Sequence, residues 1–225
     1  MKTMRGLATV LMVGFACAGC MSVSWDPPPR PIGTAPDSLT SLRVYEEMVP
    51  HRLQTANTVL LQYGWRRVTG VGFLDVNTDR RNLGLLVTTP SGTTLFEIAC
   101  TNGEASCRFK AKPFLDNHAM AAEIPLDVQR MYLDLVPPAN AEARIKDDTL
   151  IARGATGTNV TEWVFGAGNL LLEKRFYEAS NLVAQVGYYE YSLERGRRMP
   201  RRVMLHNVRH GYGLTVTQKE LLLCE

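Results

Sequence analysis

Two histidines spaced four residues apart, His206 and His210, are the candidate metal ligands of this sequence. On a helix this spacing would place both imidazoles on one face, but the surrounding residues alternate in polarity as they do in a β-strand. Four residues of strand span about 13 Å, so the two side chains cannot share one ion. His51 and His118 have no partner nearby in the sequence. We therefore predict no metal site and no cofactor.

Catalytic motifs are also missing from the sequence. It contains no G-x-S-x-G, H-E-x-x-H or phosphate-binding loop motif, so a hydrolase has no motif to support it and we predict no catalytic residue. Lys and Arg number 25 against 22 Asp and Glu, a net charge of +3 that is too balanced for a nucleic-acid binder. The apolar share of 45% is typical of a globular chain.

Cys100 and Cys107 flank a hairpin turn signal, the dipeptide Asn102-Gly103. A hairpin brings two such residues within the Cα separation of about 4.4–6.8 Å that a disulfide needs. We predict a disulfide between them; the alternative is two reduced, half-buried thiols. Cys224 has no base nearby in the sequence to activate it, and we assign it no role.

A cluster of arginines lies between two predicted strands near the C-terminus. Either this is a solvated hairpin, or its guanidinium groups contact anionic lipid head groups or a phosphate-bearing glycolipid, whose geometry suits the Arg fork. The arginines are Arg195, Arg197, Arg198, Arg201 and Arg202.

Alternation of apolar and polar residues predicts about eleven antiparallel strands in meander order, interrupted by one helix and preceded by another. The predicted helices are residues 38–49, which Pro50 ends, and residues 124–136, with Pro125 in the first turn. The predicted strands are residues 58–63, 67–76, 83–89, 93–100, 106–112, 149–155, 160–165, 169–179, 182–193, 201–209 and 212–223.

A sheet of this size must curl, and many of its strands are apolar on both faces. We predict a mainly β fold built on a long, curled antiparallel meander sheet. Patterning alone favours a β-sandwich or a closed barrel with a filled core over a half-barrel with an apolar concavity under a helical lid.

The first twenty residues read as a targeting segment. Lys2 and Arg5 precede an apolar run too short to span a bilayer, and Ala18-Gly19 precede Cys20. This resembles a bacterial lipoprotein signal, which is cut before a Cys that then receives acyl chains. Residue 21 is Met rather than Asp, which by the same resemblance implies the periplasmic face of the outer membrane.

The predicted organisation is a signal peptide at residues 1–19, an acylated Cys20 with a tether through residue 37, and one domain at residues 38–225. Five prolines in residues 22–37 predict an extended tether, and about 15 residues at about 3.1 Å each could hold the domain about 45 Å off the membrane. Removing residues 1–19 leaves a net charge of +1.

Three stretches resemble the outer-membrane lipoprotein receptor of the bacterial lipoprotein-localisation (Lol) system. Residues 86–98 (LVTTPSGTTLFEI) resemble its T-N-P-x-G-S-T-x-L run, residues 123–137 resemble its I-P-L helix, and residues 199–205 with 213–217 resemble its closing hairpin. The chain also resembles a family of bacterial lipoproteins often encoded beside aryl-polyene lipid biosynthesis genes. In the receptor a membrane-dipping Leu stands where this chain has Ser91, which argues against delivery of lipoproteins to the membrane.

The resemblance implies an unclosed, roughly eleven-stranded half-barrel with short helices as a lid. Its apolar cavity would bind or hand over an acyl chain, a lipid or a lipoprotein, with a periplasmic carrier protein as a partner and no nucleic acid. The alternative is a structural or interaction lipoprotein of the envelope with a filled barrel. The predicted cavity residues are Leu60, Phe73, Leu85, Phe96, Ile98, Met131, Trp163, Phe165, Leu172 and Tyr189.

Overall fold

The computed structural model describes residues 23–31, 33, 36, 42–110 and 118–225. The predicted signal, Cys20 and residues 38–41 of the first predicted helix lie outside the described residues. In the described part of the chain there are two α-helices, α1 (Arg43–Met48) and α2 (His118–Tyr132). No helix of this part is long and apolar enough to cross a membrane.

Within the described residues, twelve strands form one antiparallel sheet that does not close. The strands of the first half are β1 (Arg52–Tyr63), β2 (Arg66–Asn77), β3 (Asn82–Thr88), β4 (Thr94–Thr101) and β5 (Glu104–Lys110). Those of the second half are β6 (Glu142–Lys146), β7 (Thr149–Thr156), β8 (Asn159–Gly166), β9 (Leu170–Glu178), β10 (Asn181–Glu194), β11 (Arg197–Asn207) and β12 (Tyr212–Cys224).

The first and last strands join two meanders into a single sheet. The strand order is β5-β4-β3-β2-β1-β12-β11-β10-β9-β8-β7-β6, so β1 pairs with β12 along its whole length, from Leu53–Cys224 to Tyr63–Tyr212. We call this pairing the seam. It leaves β5 and β6, which are consecutive in the chain, at opposite edges of the sheet. The connection between them carries α2 against β4, β5, β10 and β11, and so across the concave side.

The predicted fold class is confirmed, with one strand more than the sequence predicted. The additional strand, β6, reads Glu142-Ala-Arg-Ile-Lys, and all five of its residues are exposed. Its charged residues alternate with Ala143 and Ile145, but the strand is only five residues long and neither of its faces is buried. Charged side chains on an edge strand discourage pairing with another chain.

Helix α2 begins earlier and ends earlier than predicted. Pro125 lies inside it rather than in its first turn, so the backbone lacks the N–H that would reach the carbonyl of Ala121. The helix ends before Asp134, whose φ of 51° places it in the left-handed conformation that commonly follows a helix. Its buried apolar residues recur at helical spacing and face the sheet; they are Met120, Ala121, Ile124, Val128, Met131 and Tyr132.

The described part of the proline-rich segment lies against the outer face of the sheet instead of extending freely. We call residues 23–31 the strap. Gly213 on β12 leaves room for Val23, since a Cβ at that glycine would lie 2.7 Å from Val23 Cγ1. The indole of Trp25 stacks on His206 of β11 at 6.2 Å. At its other end, Arg30 Nη1 donates to the carbonyl of Asp147 at 2.9 Å.

The predicted disulfide between Cys100 and Cys107 is wrong, because both residues are thiols in the structure. Cys100 is paired with Ala105, while Cys107 lies opposite Ile98, two pairs further along the hairpin. Such diagonal neighbours are about 7–8 Å apart, whereas disulfide-bonded Cβ atoms are about 4 Å apart. The thiol of Cys100 contacts Gln129 Nε2 of α2 at 2.8 Å.

We predict that the seam is sensitive to loss of buried apolar volume. Leu214 of β12 is fully buried in the core, so Leu214→Ala should lower the free energy of unfolding by about 2–5 kcal/mol. Leu222, on the same strand, is 45% exposed, and Leu222→Ala should change the free energy of unfolding by less than about 0.5 kcal/mol. Urea unfolding followed by circular dichroism measures both, and equal midpoints for the two variants would contradict the seam's role.

Candidate functional site

An apolar cavity of about 70 Å³ lies between the sheet and the two helices. Its walls come from the seam, from β10 and β11, and from the facing sides of α1 and α2. The half-buried Met48, Val49 and Pro50 and the exposed Arg198 and Arg201 form its rim, so the cavity reaches solvent between α1 and the β10–β11 hairpin. We call this opening the mouth. Its deeper lining residues include Leu74, Met131, Met199, Val203 and Val216.

Tyrosine side chains form much of the cavity wall without bringing charge into it. Tyr188 donates its hydroxyl hydrogen to the carbonyl of Met131 at 3.0 Å, and Tyr191 donates to the carbonyl of Leu171 at 2.6 Å. Burial raises the pKa of each lining tyrosine, so the wall is uncharged near neutral pH. The tyrosines are Tyr45, Tyr132, Tyr188 and Tyr191.

One strip of the lining is polar. Thr55 and Asn57 of β1 and Gln218 of β12 are buried and line the cavity, and Asn57 is paired with Gln218 across the seam. Asn57 Nδ2 donates to Thr55 Oγ1 at 2.9 Å, and Gln218 Nε2 donates to a carboxylate oxygen of Glu194 at 2.9 Å. An ester, amide or hydroxyl group that entered with an acyl chain would meet this strip.

The predicted arginine cluster divides into three groups. Arg198 and Arg201 lie at the mouth with exposed guanidinium groups. Arg197 instead turns to the end of α1, where Nη1 donates to the carbonyls of Glu47 at 3.0 Å and Val49 at 3.2 Å.

The other two arginines do not line the cavity. Arg202 pairs with Glu190 at 3.1 Å and stacks over the ring of Tyr189 at 4.8 Å on the outer face. Arg195 is an exposed turn residue with a φ of 50°.

The predicted cavity residues are only partly brought together. Met131 lines the cavity, and Trp163 packs beside the end of α2, donating from Nε1 to the carbonyl of Asp134 at 2.8 Å. Leu60 is half-buried and Phe73 is 48% exposed, both on the outer face of the sheet. The predicted residues that belong to the buried core are Leu85, Phe96, Ile98, Met131, Trp163 and Phe165.

Leu172 and Tyr189 do not line the cavity, and a local break in alternation lies close to each of them. A register shift on β8 and β9 leaves Leu172 without a partner of its own, and it packs beside Gly166, where the strap's Pro31 also lies. On β10, Glu190 has a φ of 56°, so Tyr188 and Tyr191 both face the cavity although strict alternation puts them on opposite faces. The hydroxyl of Tyr189 donates to the carbonyl of Asp26 in the strap.

A buried carboxylate fixes α2 to the second half of the sheet. Asp127 is fully buried and accepts hydrogen bonds from Asn207 Nδ2 at 2.8 Å, from the hydroxyl of Tyr212 and from Arg130 Nη1 at 2.5 Å. Burial raises the pKa of Asp127, and these donors oppose that effect. Removing one partner of such a buried pair costs about 3–5 kcal/mol, so the network holds the helix in place.

A buried lysine fixes the end of the same helix. Lys174 of β9 donates from Nζ to the carbonyls of Arg130 at 2.9 Å and Leu133 at 2.8 Å, which are among the unpaired carbonyls at a helix C-terminus. Its ammonium lies 5.3 Å from the ring centre of Phe176. Burial lowers the pKa of Lys174 to about 7. Nothing in the sequence pattern of β9 distinguishes this lysine from a surface residue.

Solved structures of other proteins share the fold of this chain. A LolA superfamily protein from Nitrosomonas europaea superposes with a TM-score of 0.55 at 11% identity, over 86% of this chain and 94% of that chain. The fold is similar to that of the LolA superfamily. A domain described as an outer membrane lipoprotein-sorting protein from Vibrio parahaemolyticus superposes with a TM-score of 0.50 at 8% identity, over 84% of this chain and 94% of that chain. No family model and no curated relative matches the sequence.

The arrangement suits binding of an apolar chain with a polar end. The apolar wall takes hydrocarbon, the polar strip offers hydrogen bonds, and the arginines of the mouth attract an anion. Among the described residues, no three of His, Cys, Asp and Glu are grouped to hold a metal ion.

Lys174 should make stability depend on pH. Its folded-state pKa lies below the unfolded value, so the folded protein binds fewer protons from about pH 7 upward and the free energy of unfolding should rise with pH. Between about pH 7 and pH 9 we expect a rise on the order of 2 kcal/mol, which Lys174→Met should abolish. Urea unfolding across this pH range measures it. Lys219→Met changes an exposed position of β12 and should keep the rise in the free energy of unfolding with pH. An equal pH dependence in the two variants would contradict the assignment of this rise to Lys174.

Proposed function

We propose that this protein is a non-catalytic envelope lipoprotein that binds an acylated molecule, with the acyl chain in the cavity and an anionic head group at the mouth. The observation that carries the proposal is the apolar cavity beneath α1 and α2 with Arg198 and Arg201 at its rim. The LolA-like fold supports a carrier role.

The proposal includes an anchor and a partner. Acylation of Cys20 would hold the protein on the periplasmic face of the outer membrane, and a periplasmic carrier protein would exchange the acylated cargo with it. The narrower resemblance to the lipoproteins encoded beside aryl-polyene genes belongs to the same proposal, since it implies a lipid-linked ligand.

Ligand entry requires the cavity to widen. Its volume of about 70 Å³ is below the roughly 150 Å³ of a cavity that binds benzene, and far below the 300 Å³ or more of usual ligand pockets. Helix α2 is held by the buried Asp127 and Lys174 contacts, whereas the end of α1 is held by the hydrogen bonds from Arg197 and by half-buried apolar contacts. We therefore assign the widening to the end of α1 beyond the buried Tyr45, with the flexible Met48 and Met199 repacking around the chain.

The small volume also supports a second candidate, a structural lipoprotein whose barrel is filled by its own side chains. Mass spectrometry of lipid extracted from the purified protein distinguishes the two. Bound lipid in a stoichiometric amount supports acyl binding, and a protein free of lipid that also fails to bind a fluorescent fatty acid supports the structural role.

Filling the cavity should block the fatty acid. Met199 is buried in the lining, so Met199→Trp should weaken binding of a fluorescent fatty acid by about tenfold or more. Leu193→Trp adds the same side chain at a 71% exposed position of the same hairpin and should leave the affinity unchanged. Fluorescence titration measures both variants, and equal affinities for both would contradict binding in the cavity.

Charge reversal at the mouth should weaken the binding of anionic ligands but not of neutral ones. The double variant Arg198→Glu, Arg201→Glu should lower the affinity for the fatty acid carboxylate by roughly tenfold, and added salt should reduce the wild-type affinity toward the variant's. Arg153→Glu reverses an exposed charge on β7, away from the mouth, and should have little effect. The same titration with a neutral acyl ester should show no difference; a loss of equal size for the ester would contradict head-group recognition.

A further inference from the structure

The end of the sheet opposite the mouth carries an exposed aromatic and basic surface. The turn between β1 and β2 leaves Trp65 78% exposed and Tyr63 39% exposed. The guanidinium of Arg66 lies 5.4 Å from the ring centre of Trp65, and Arg67 is exposed beside it. We call residues 63–67 the hairpin tip.

The residues around the hairpin tip add an exposed apolar side chain, and the same hairpin adds no nearby acidic residue. Val208, in the turn between β11 and β12 at the same end of the sheet, is 42% exposed. The sequence contains no acidic residue from Arg52 to Leu74, the whole of β1 and most of β2. The hairpin tip therefore presents apolar and cationic groups without an opposing charge from its own hairpin.

The strap brings the chain to this same end. Val23 packs on Gly213, and Gly213 is paired with Gln62, the residue before Tyr63. Cys20 precedes Val23 by three residues, which span at most about 11 Å. A lipid on Cys20 would therefore enter its membrane close to the hairpin tip.

We propose that the hairpin tip rests on the anionic bilayer that holds the acylated Cys20, so that the mouth opens away from that membrane. The proposal rests on the anchor included in the proposed function. Tryptophan is favoured at the boundary between head groups and acyl chains, and each basic residue near an anionic surface contributes attraction. Trp65 supplies the first of these interactions, and Arg66 and Arg67 supply the second.

The test uses the acylated full chain in vesicles of phosphatidylethanolamine and phosphatidylglycerol with brominated acyl chains, which quench nearby tryptophan. We expect a loss of fluorescence in the wild type and a smaller loss in Trp65→Phe, whose remaining tryptophans are Trp25 in the strap and the buried Trp163. In neutral phosphatidylcholine vesicles the quenching of Trp65 should fall, because the arginines lose their partners while the anchor stays.

A tryptophan at the other end of the sheet is the matched control. Leu193→Trp in the Trp65→Phe background places an equally exposed ring on the β10–β11 hairpin, and we expect no added quenching from it. Quenching that Trp65→Phe leaves unchanged, or equal quenching from position 193, would overturn the proposal. So would a Cys20 that carries no lipid by mass spectrometry.

Fatty acid titration of Trp65→Phe separates this proposal from the proposed function. Trp65 lies outside the cavity, so the affinity should equal that of the wild type. Loss of quenching with normal fatty acid binding would overturn only the membrane orientation, whereas normal quenching with no fatty acid binding would overturn only the cavity's role.

Discussion

The pairing of β1 with β12 determines how the rest of the molecule is arranged. It joins two meanders side by side, so β5 and β6, which follow one another in the chain, become the two outer edges of the sheet. The segment between them carries α2, which packs on the concave side against β4, β5, β10 and β11. The apolar interior is therefore covered by the connection between the two edges.

Charged and polar groups then determine where the covering helix lies. Apolar packing alone would allow α2 to slide or rotate, whereas Asp127 and Lys174 each have fixed partners on the opposite element. On the other face of the sheet, the strap explains why strands such as β10 are apolar on both sides. Their outer side chains are covered by the chain's own N-terminal segment rather than by water, as the hydrogen bond between Tyr189 and the strap shows.

Periodicity predicted the strands well because most of them bury one face in the core, and it failed where that condition does not hold. Strand β6 buries neither face. The register shift at Leu172 and the positive φ of Glu190 each change the orientation of neighbouring side chains, so Leu172 does not line the cavity and Tyr191 lines it together with Tyr188. Docking of the strap depends on spaces above Gly166 and Gly213, which can be recognised only once the strands are in register.

The seam also has a consequence for how the chain folds. Each meander is built from hairpins between neighbouring strands and can form as soon as its own residues are available, whereas Tyr63 must find Tyr212 across roughly 150 residues. Contacts of such long range form slowly, and before they form, β1 and β12 both expose unpaired edges. Because β12 is needed to cover β1, a chain that is synthesised progressively has to keep β1 from aggregating until the residues of β12 arrive.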